Sequence, residues 1–233
     1  MNESPLRFGH DISSERLDEL DLACIAHAAE TVRQRGPIAA LDIGAGFGAV
    51  ARALGELPGT RVTAVDRNPD LRSHYERLRP THPNVDFRAC NVPVEWPFDD
   101  AAFALVTCQR MIHYLPHHGA LELLAKIRRA LDDDGRLFIS ASGSGSELAD
   151  GLDLVPLARR FGRLRPDRQA EHDIREPVCL YSADELAATL HAAGFRVERC
   201  WLSDFGNVKA IAHRARRAPS TAVAVDTTTG DRA

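Results

Sequence analysis

From Ile38 to Ser140 the chain repeats one pattern: a short apolar run, a turn, then a stretch with helical spacing. Ile38–Ile43, Arg61–Val65, Val85–Cys90, Ala104–Cys108 and Arg136–Ser140 read as strands. Helices fall between them over Val50–Leu57, from Asn68-Pro69 to about Arg79, and over His117–Leu131, where Leu121, Leu124, Ile127, Arg128 and Leu131 keep helical spacing. Strands that are nearly continuous in apolar residues and alternate with helices predict a parallel sheet covered on both faces.

The end of the chain departs from this pattern. Ala183–Ala193 reads as a helix stopped by Gly194, followed by strand-like runs Phe195–Trp201 and Asn207–His213. Only Leu202-Ser203-Asp204-Phe205-Gly206 joins them, too little for a crossover, so they are expected to be antiparallel neighbours. Ahead of the sheet, Ser13 or Ser14 caps an amphipathic helix through Leu17, Leu20, Ile25, Ala28 and Val32 that Gly36-Pro37 stops. The expected organisation is a helical cap over 1–36, a main domain over 37–215 and a disordered tail over 216–233. The irregular stretch Ala141–Ser182, opening on a flexible Ser142-Gly143-Ser144-Gly145-Ser146, has the length of a lid or substrate-binding insert.

Charge limits the partners. With 33 Asp+Glu against 29 Lys+Arg the net charge is -4, so no overall positive field gathers nucleic acid or an anionic membrane. The one local hint of anion binding is Arg159, Arg160, Arg163, Arg165 and Arg168 on the insert, which a solvated helix face explains equally. No apolar run approaches the about 20 residues of a bilayer span. Met1–Asp11 lacks the basic end and apolar core of an export signal. The 5 cysteines, at 24, 90, 108, 179 and 200, form no C-x-x-C pair and read as reduced thiols in the cytoplasm.

The segment Leu41-Asp42-Ile43-Gly44-Ala45-Gly46-Phe47-Gly48 follows a strand and opens a helix, so its backbone turns tightly and approaches a ligand closely. With Ala49 it fits a dinucleotide fingerprint, and Asp66, 22 residues after Gly44, stands where a carboxylate accepts ribose hydroxyls. Asp42 separates the cofactors. A carboxylate just before the glycines repels a pyrophosphate, but it complements the ammonium and sulfonium of S-adenosylmethionine (SAM).

These residues resemble the class I SAM-dependent methyltransferases. Leu41 to Gly48 looks like the first motif of that family and Val62-Thr63-Ala64-Val65-Asp66 like its second. Trp96 to Val106 is similar to its lead into strand four, and Leu131 to Ile139 to its Leu-x-x-x-Gly-x-Leu segment. The resemblance implies an α/β, Rossmann-like, doubly wound sheet of seven strands, mostly parallel with a C-terminal antiparallel hairpin, with helices on both faces. It implies SAM as cofactor, S-adenosylhomocysteine (SAH) as product and no metal. Gly44, Ala45 and Gly46 would lie against the methionine part, Asp66 would hold the ribose, and Arg67 would sit beside the adenine. Asn91 stands where the family commonly has an aspartate accepting from the adenine amino group; its amide oxygen can accept the same bond. Val92 would pack on the purine and offer its N–H, and Gln109 would approach the methionine end.

Transfer of a methyl from a sulfonium is an in-line displacement, so aligning the nucleophile is the main task. His113, after strand four, is the candidate general base, against a histidine making a structural hydrogen bond at a helix start. Tyr114, and on the insert His172, Asp173 and Tyr181, are candidates for the acceptor side. His113, His117 and His118 lack the acidic partner of a metal site, and Cys179 has no base beside it. The expected activity is methylation of an oxygen or nitrogen of a small molecule. The alternatives are a protein or RNA acceptor, a SAM-binding module without transfer, and an NAD-dependent oxidoreductase.

Overall fold

The computed structural model describes residues 17–150 and 155–215. Ser13, Ser14, the 1–16 part of the expected cap and the expected tail over 216–233 lie outside the described residues. Strands β1 (Ile38–Ile43), β2 (Thr60–Asp66), β3 (Val85–Ala89), β4 (Phe103–Cys108), β5 (Leu131–Ala141), β6 (Phe195–Leu202) and β7 (Val208–Arg214) form one sheet in the order β3-β2-β1-β4-β5-β7-β6. β1 to β5 pair in parallel, and β7 runs antiparallel to both β5 and β6. The expected hairpin therefore forms, with the last strand inserted between β5 and the edge strand β6.

The period-two alternation of the strands divides the core. Along β1, Ala40 faces one side, where helices α1 (Glu19–Arg35), α2 (Ala49–Gly55) and α3 (Arg72–Leu78) bring Leu20, Cys24, Ala28, Leu54 and Tyr75. Leu41 and Ile43 face the other, where α4 (His117–Ala130) and α6 (Ala183–Ala192) bring Leu123, Leu124, Ile127, Leu186 and Leu190. Each of these leucines and isoleucines contributes about 1.5 to 3 kcal/mol on burial. The central position of β1 and β4 puts their carboxyl ends, and the loops leaving them, mid-crest on the sheet.

The described part of α1 is capped by Asp18, whose Oδ1 accepts from the N–H of Leu20 (2.8 Å) and Asp21 (3.1 Å). Asp21 Oδ2 accepts in return from the Asp18 N–H at 2.8 Å, completing a capping box with a carboxylate in each role. Leu17, expected within the helix, precedes it and is exposed. Asn68 and Pro69 open a 3-10 turn that leads into α3, Asn68 Oδ1 accepting from the Asp70 N–H. β5 starts at Leu131 rather than Arg136: Leu131 pairs with Phe103 and Arg136 with Leu105, so the expected Asp134-Gly135 turn is a bulge within the strand.

The insert is packed, contrary to the flexible opening expected. Ser146 Oγ donates to the Gly143 carbonyl at 2.7 Å, and Ser142 and Ser146 are buried. The stretch contains helix α5 (Pro166–His172), and Leu148, Leu164, Val178 and Leu180 form its own small core with Tyr114 against it. Gly143 and Tyr181 make a parallel bridge, and the tip of the β6–β7 hairpin lies on Gly143 so closely that a Cβ there would meet the Gly206 carbonyl oxygen at 1.8 Å.

That contact makes a prediction. Gly143→Ala is expected to cost about 1 to 3 kcal/mol by overpacking, several degrees of Tm at about 2 to 4 °C per kcal/mol. At Gly145 a Cβ meets nothing within 4 Å among the described residues, so Gly145→Ala should stay within about 0.5 kcal/mol of the parent. Thermal unfolding of the two variants side by side checks this, and equal melting would disprove the close approach.

Candidate functional site

The loop leaving β1 is folded over the end of β2 by its own backbone. The N–H groups of Gly44 and Ala45 both donate to the Val65 carbonyl, at 2.9 and 3.0 Å. Gly44 has no room for a side chain, since its Cβ would lie 2.9 Å from Met111. Gly46 is the opposite case: at φ 50° it adopts a conformation L residues avoid, yet among the described residues other than its chain neighbours no heavy atom lies within 4 Å of where its Cβ would be. That open side is a place for a ligand. Asp66 braces the loop, its Oδ2 accepting from the Gly46 N–H at 3.1 Å and its Oδ1 from the Asn68 N–H at 2.9 Å. Each oxygen keeps a lone pair for a hydroxyl.

Asp42 is buried at the end of β1 and accepts from the backbone N–H of Ala51 in the first turn of α2. Burial, with the charges of Asp21 and Asp66 added, pushes its pKa up to about 7 despite that bond and the Arg110 guanidinium. Thr107, its register partner on β4, holds a buried hydroxyl with no hydrogen-bond partner among the described residues. Tyr75, stacked on Phe87 at 4.5 Å, also faces this corner; burial and then the Asp42 charge raise its pKa.

The other expected site residues divide. Arg67, half exposed, meets Glu176 of the insert at 3.5 Å. Because the insert leaves β5 and Arg67 follows β2, this contact carries the insert across the carboxyl ends of β4 and β1. Asn91 is exposed, with its N–H held by Glu95 Oε2 at 2.9 Å. The Val92 side chain is buried in the main core, so a purine could meet only the backbone there. Gln109 is buried too, donating to Asp21 Oδ1 and accepting from Ser140 Oγ at 3.0 Å, which turns its amide toward α1.

His113 is buried in a 3-10 turn, where its Nδ1 accepts from the Ser142 N–H at 3.3 Å and its carbonyl from the Cys179 N–H at 2.7 Å. These bonds suit the structural histidine that was weighed against the general base. Tyr181, expected to face the acceptor, is fully buried in the main core and offers it no surface. Tyr114 packs against the small core of the insert. His172, at the end of α5, lies 3.6 Å from Glu147. Glu147, Glu171 and His172 could converge on a cation, but Arg168 already pairs with Glu171 at 2.6 Å and supplies positive charge there.

Sequence reasoning missed Asp21, Arg110, Met111 and Lys209. Lys209, on β7, is buried with its Nζ 2.7 Å from Asp18 and 2.8 Å from Glu19, which ties the start of α1 to the sheet. Asp18 and Asp21 form the capping box of α1 in the structure, where the sequence pointed to Ser13 or Ser14 as the cap. The arginines of the insert are largely spent: Arg160 grips Glu185 with bonds of 2.6 and 2.8 Å, Arg163 bonds the Arg175 carbonyl at 2.8 Å, and Arg165 meets Asp167.

Comparison with known proteins agrees with this geometry. A family model described as a methyltransferase domain matches residues 18–199. No curated protein matches the sequence. Among solved structures, a SAM-dependent methyltransferase from Methanosarcina mazei is similar, with TM-score 0.61, 18% identity, and 78% of this chain and 94% of that chain covered. The 1,6-didemethyltoxoflavin-N1-methyltransferase of Burkholderia thailandensis, solved with 1,6-didemethyltoxoflavin and SAH, is similar at TM-score 0.59 and 24% identity over 92% of this chain and 94% of that one. The [4+2]-cyclase SpnF shares the fold as well, with TM-score 0.62, 15% identity, and 91% and 88% covered. The chain belongs to the methyltransferase domain family, and its sheet order, glycine loop and antiparallel β7 are those of a class I SAM-dependent methyltransferase.

Proposed function

We propose that the chain transfers a methyl group from SAM to an oxygen or nitrogen of a small-molecule acceptor. The observation that carries this reading is the concentration of carboxylate behind an open glycine loop. Asp42 is buried, with Asp21 and Asp66 close enough to raise its pKa, and Gly46 faces free space. A cation relieves such a site. The pyrophosphate of NAD would add like charge, costing about 3 kcal/mol for one pair of unit charges about 5 Å apart at an effective dielectric of about 20. The donor set therefore fits SAM better than a dinucleotide.

SAM supplies an electrophilic methyl on a sulfonium. The work left to the chain is binding, orientation and exclusion of water, which can lower a barrier by about 7 to 11 kcal/mol in favourable cases. In this reading Asp42 complements the charge of the methionine end, Gly44, Ala45 and Gly46 pass it closely, and Asp66 accepts from the ribose. Arg67 and Asn91 flank the adenine, with the backbone at Val92 beneath it. The Ala141–Ser182 insert covers the acceptor, as its crossing to Arg67 supports, and His172 stands on it. We assign no general base, because His113 gives its Nδ1 to the backbone; an amine or an already ionised oxygen needs only alignment.

A small acceptor is favoured over protein or RNA because, of the six arginines between Ala141 and Ser182, Arg160, Arg165, Arg168 and Arg175 pair with carboxylates and Arg163 is held by a backbone carbonyl. Among the described residues no helix is long and apolar enough to cross a membrane. The 5 cysteines are free, which supports placement in a reducing compartment such as the cytoplasm.

Calorimetric titration of the full chain with SAM, SAH and NAD in parallel tests the cofactor. SAM and SAH are expected to bind at micromolar concentrations and NAD not to bind. Asp66→Ala should weaken SAM by about 1.5 to 3 kcal/mol, roughly 10- to 150-fold, the range for losing hydrogen bonds to a charged group. Preference for NAD, or an unaffected Asp66→Ala, would overturn the assignment.

Asp42 adds a stability test. The folded chain holds its proton to about pH 7, against 3.8 for an ordinary aspartate. The folded state therefore binds more protons than the unfolded across that window, so its stability falls as pH rises from about 4 and levels off above about 7. Asp42→Asn removes this term. Urea unfolding at pH 5 and pH 8 should show the variant gaining on the parent at the higher pH, by on the order of 3 kcal/mol at most, while its SAM affinity drops. A gap that does not grow with pH would show that Asp42 is not the destabilising charge.

A further inference from the structure

Behind Asp42 lies a second carboxylate that belongs to none of the motifs. Asp21 is buried in the first turn of α1, and both its oxygens are engaged: Oδ2 by the Asp18 N–H at 2.8 Å and Oδ1 by the side-chain amide of Gln109, the residue after β4. Gln109 is itself oriented. Its Oε1 accepts from Ser140 Oγ at 3.0 Å, and Ser140 Oγ accepts from the Arg110 N–H at 3.0 Å. The donors run one way, from Arg110 through Ser140 and Gln109, and end on Asp21. An ionised carboxylate is the acceptor such a chain favours.

Among the described residues the surrounding charges do not balance. α1 presents Asp18, Glu19 and Asp21, β1 presents Asp42, and β2 presents Asp66. The cations on them are Lys209 from β7, held by Asp18 and Glu19, and Arg110 after β4, which is 3.8 Å from Asp18. The remaining titratable neighbours, Cys24 on α1, Cys108 on β4 and Tyr75 on α3, are all pushed toward their neutral forms, by burial first and then by Asp42.

We propose that Asp21 is a positioning residue of the cofactor site, held by Gln109 and Ser140 behind Asp42 so that the methionine end presents a pair of buried carboxylates to the cations of SAM. This rests on SAM being the donor. Asp21 acts through Asp42 and need not touch the cofactor. Burial, opposed by the Asp18 N–H and reinforced by the Asp18 charge, holds the Asp21 pKa up at about 6, so near neutral pH the pair carries protons that an arriving cation expels. SAM bears a sulfonium charge that SAH lacks, so SAM should expel more protons than SAH, and its affinity should fall more steeply as pH is lowered.

The test is calorimetry of the full chain with SAM and with SAH from pH 6 to 8, in phosphate and in imidazole, whose different ionisation heats give the number of protons released. The parent is expected to release protons on binding SAM, with SAM affinity changing about tenfold per pH unit for each proton displaced, and to release fewer with SAH. Asp21→Asn should lower the SAM-to-SAH affinity ratio about five- to tenfold and flatten the pH slope, a change that loss of helix capping alone does not produce. If that variant does not fold, Gln109→Met keeps the Asp21 charge but removes its donor, and should move the midpoint of proton release to higher pH. The inference is overturned if the parent binds SAM with no proton release across this range. It is also overturned by a folded Asp21→Asn with parental ratio and slope, or by an unmoved midpoint in Gln109→Met. A parent that does not bind SAM at all would instead remove the cofactor reading, and this inference with it.

Discussion

The carboxylate of Asp42 sits buried where β1 gives way to the glycine loop, and the architecture around it follows from holding that charge. Leaving an ionised carboxylate without partners in such a place costs several kcal/mol. Here the cost is offset by the Ala51 N–H at the start of α2 and by the nearby Arg110 guanidinium, and the remainder shows as a carboxyl that gives up its proton only near neutral pH. A buried group set against its own solvation favours a ligand over maximal stability, which is the usual balance at sites that bind. The loop then has to pass close above it, and the contacts of Gly44 and Ala45 with the Val65 carbonyl, together with the hold of Asp66 on Gly46, keep it there without side chains in the way.

What the sequence made legible is what depends on neighbours in the chain. β1 runs over Ile38–Ile43 as its apolar run predicts, and the five residues at the hairpin tip required antiparallel strands. Asp42, the glycines and Asp66 could be found because strand, loop and acid follow at fixed spacing. The bulge in β5 was misread because three aspartates and a glycine look the same to a sequence whether they end a turn or loop out of a strand. The insert looked flexible because Leu148, Leu164, Val178 and Leu180 lie too far apart to form a run, and meet only in three dimensions.

The harder omissions are long-range. Gln109 meets Asp21 across 88 residues and Lys209 meets Asp18 across 191, and no local pattern encodes either pair. Asp18 and Asp21 are sufficiently explained by capping α1, so nothing in their spacing signals a second use. In the folded chain the same two carboxylates serve both purposes. Burial would raise the Asp18 pKa, but the Lys209 ammonium wins and lowers it, so the ion pair that anchors α1 also leaves Asp21 as the carboxyl without a lysine of its own.

The insert shows a comparable division between anchor and cover. At its base, Arg160 has a side chain only 10% exposed and bonds both oxygens of Glu185 and the Leu180 carbonyl, while Gly143 lies against Gly206 with no space between. Such contacts resist opening. Where the insert crosses to the nucleotide side, the link is Arg67 with Glu176 at 3.5 Å, both about half exposed, a pair of the kind that contributes about 0 to 1 kcal/mol. Among the described residues, the charge-assisted bonds at the root of the insert are therefore the more buried, and the pair toward Arg67 is the more exposed. For the cover over an acceptor proposed above, that distribution suits an enzyme that admits two substrates and then excludes water while the methyl moves: firm at the root, so that it returns to one place, and lightly held at its reach.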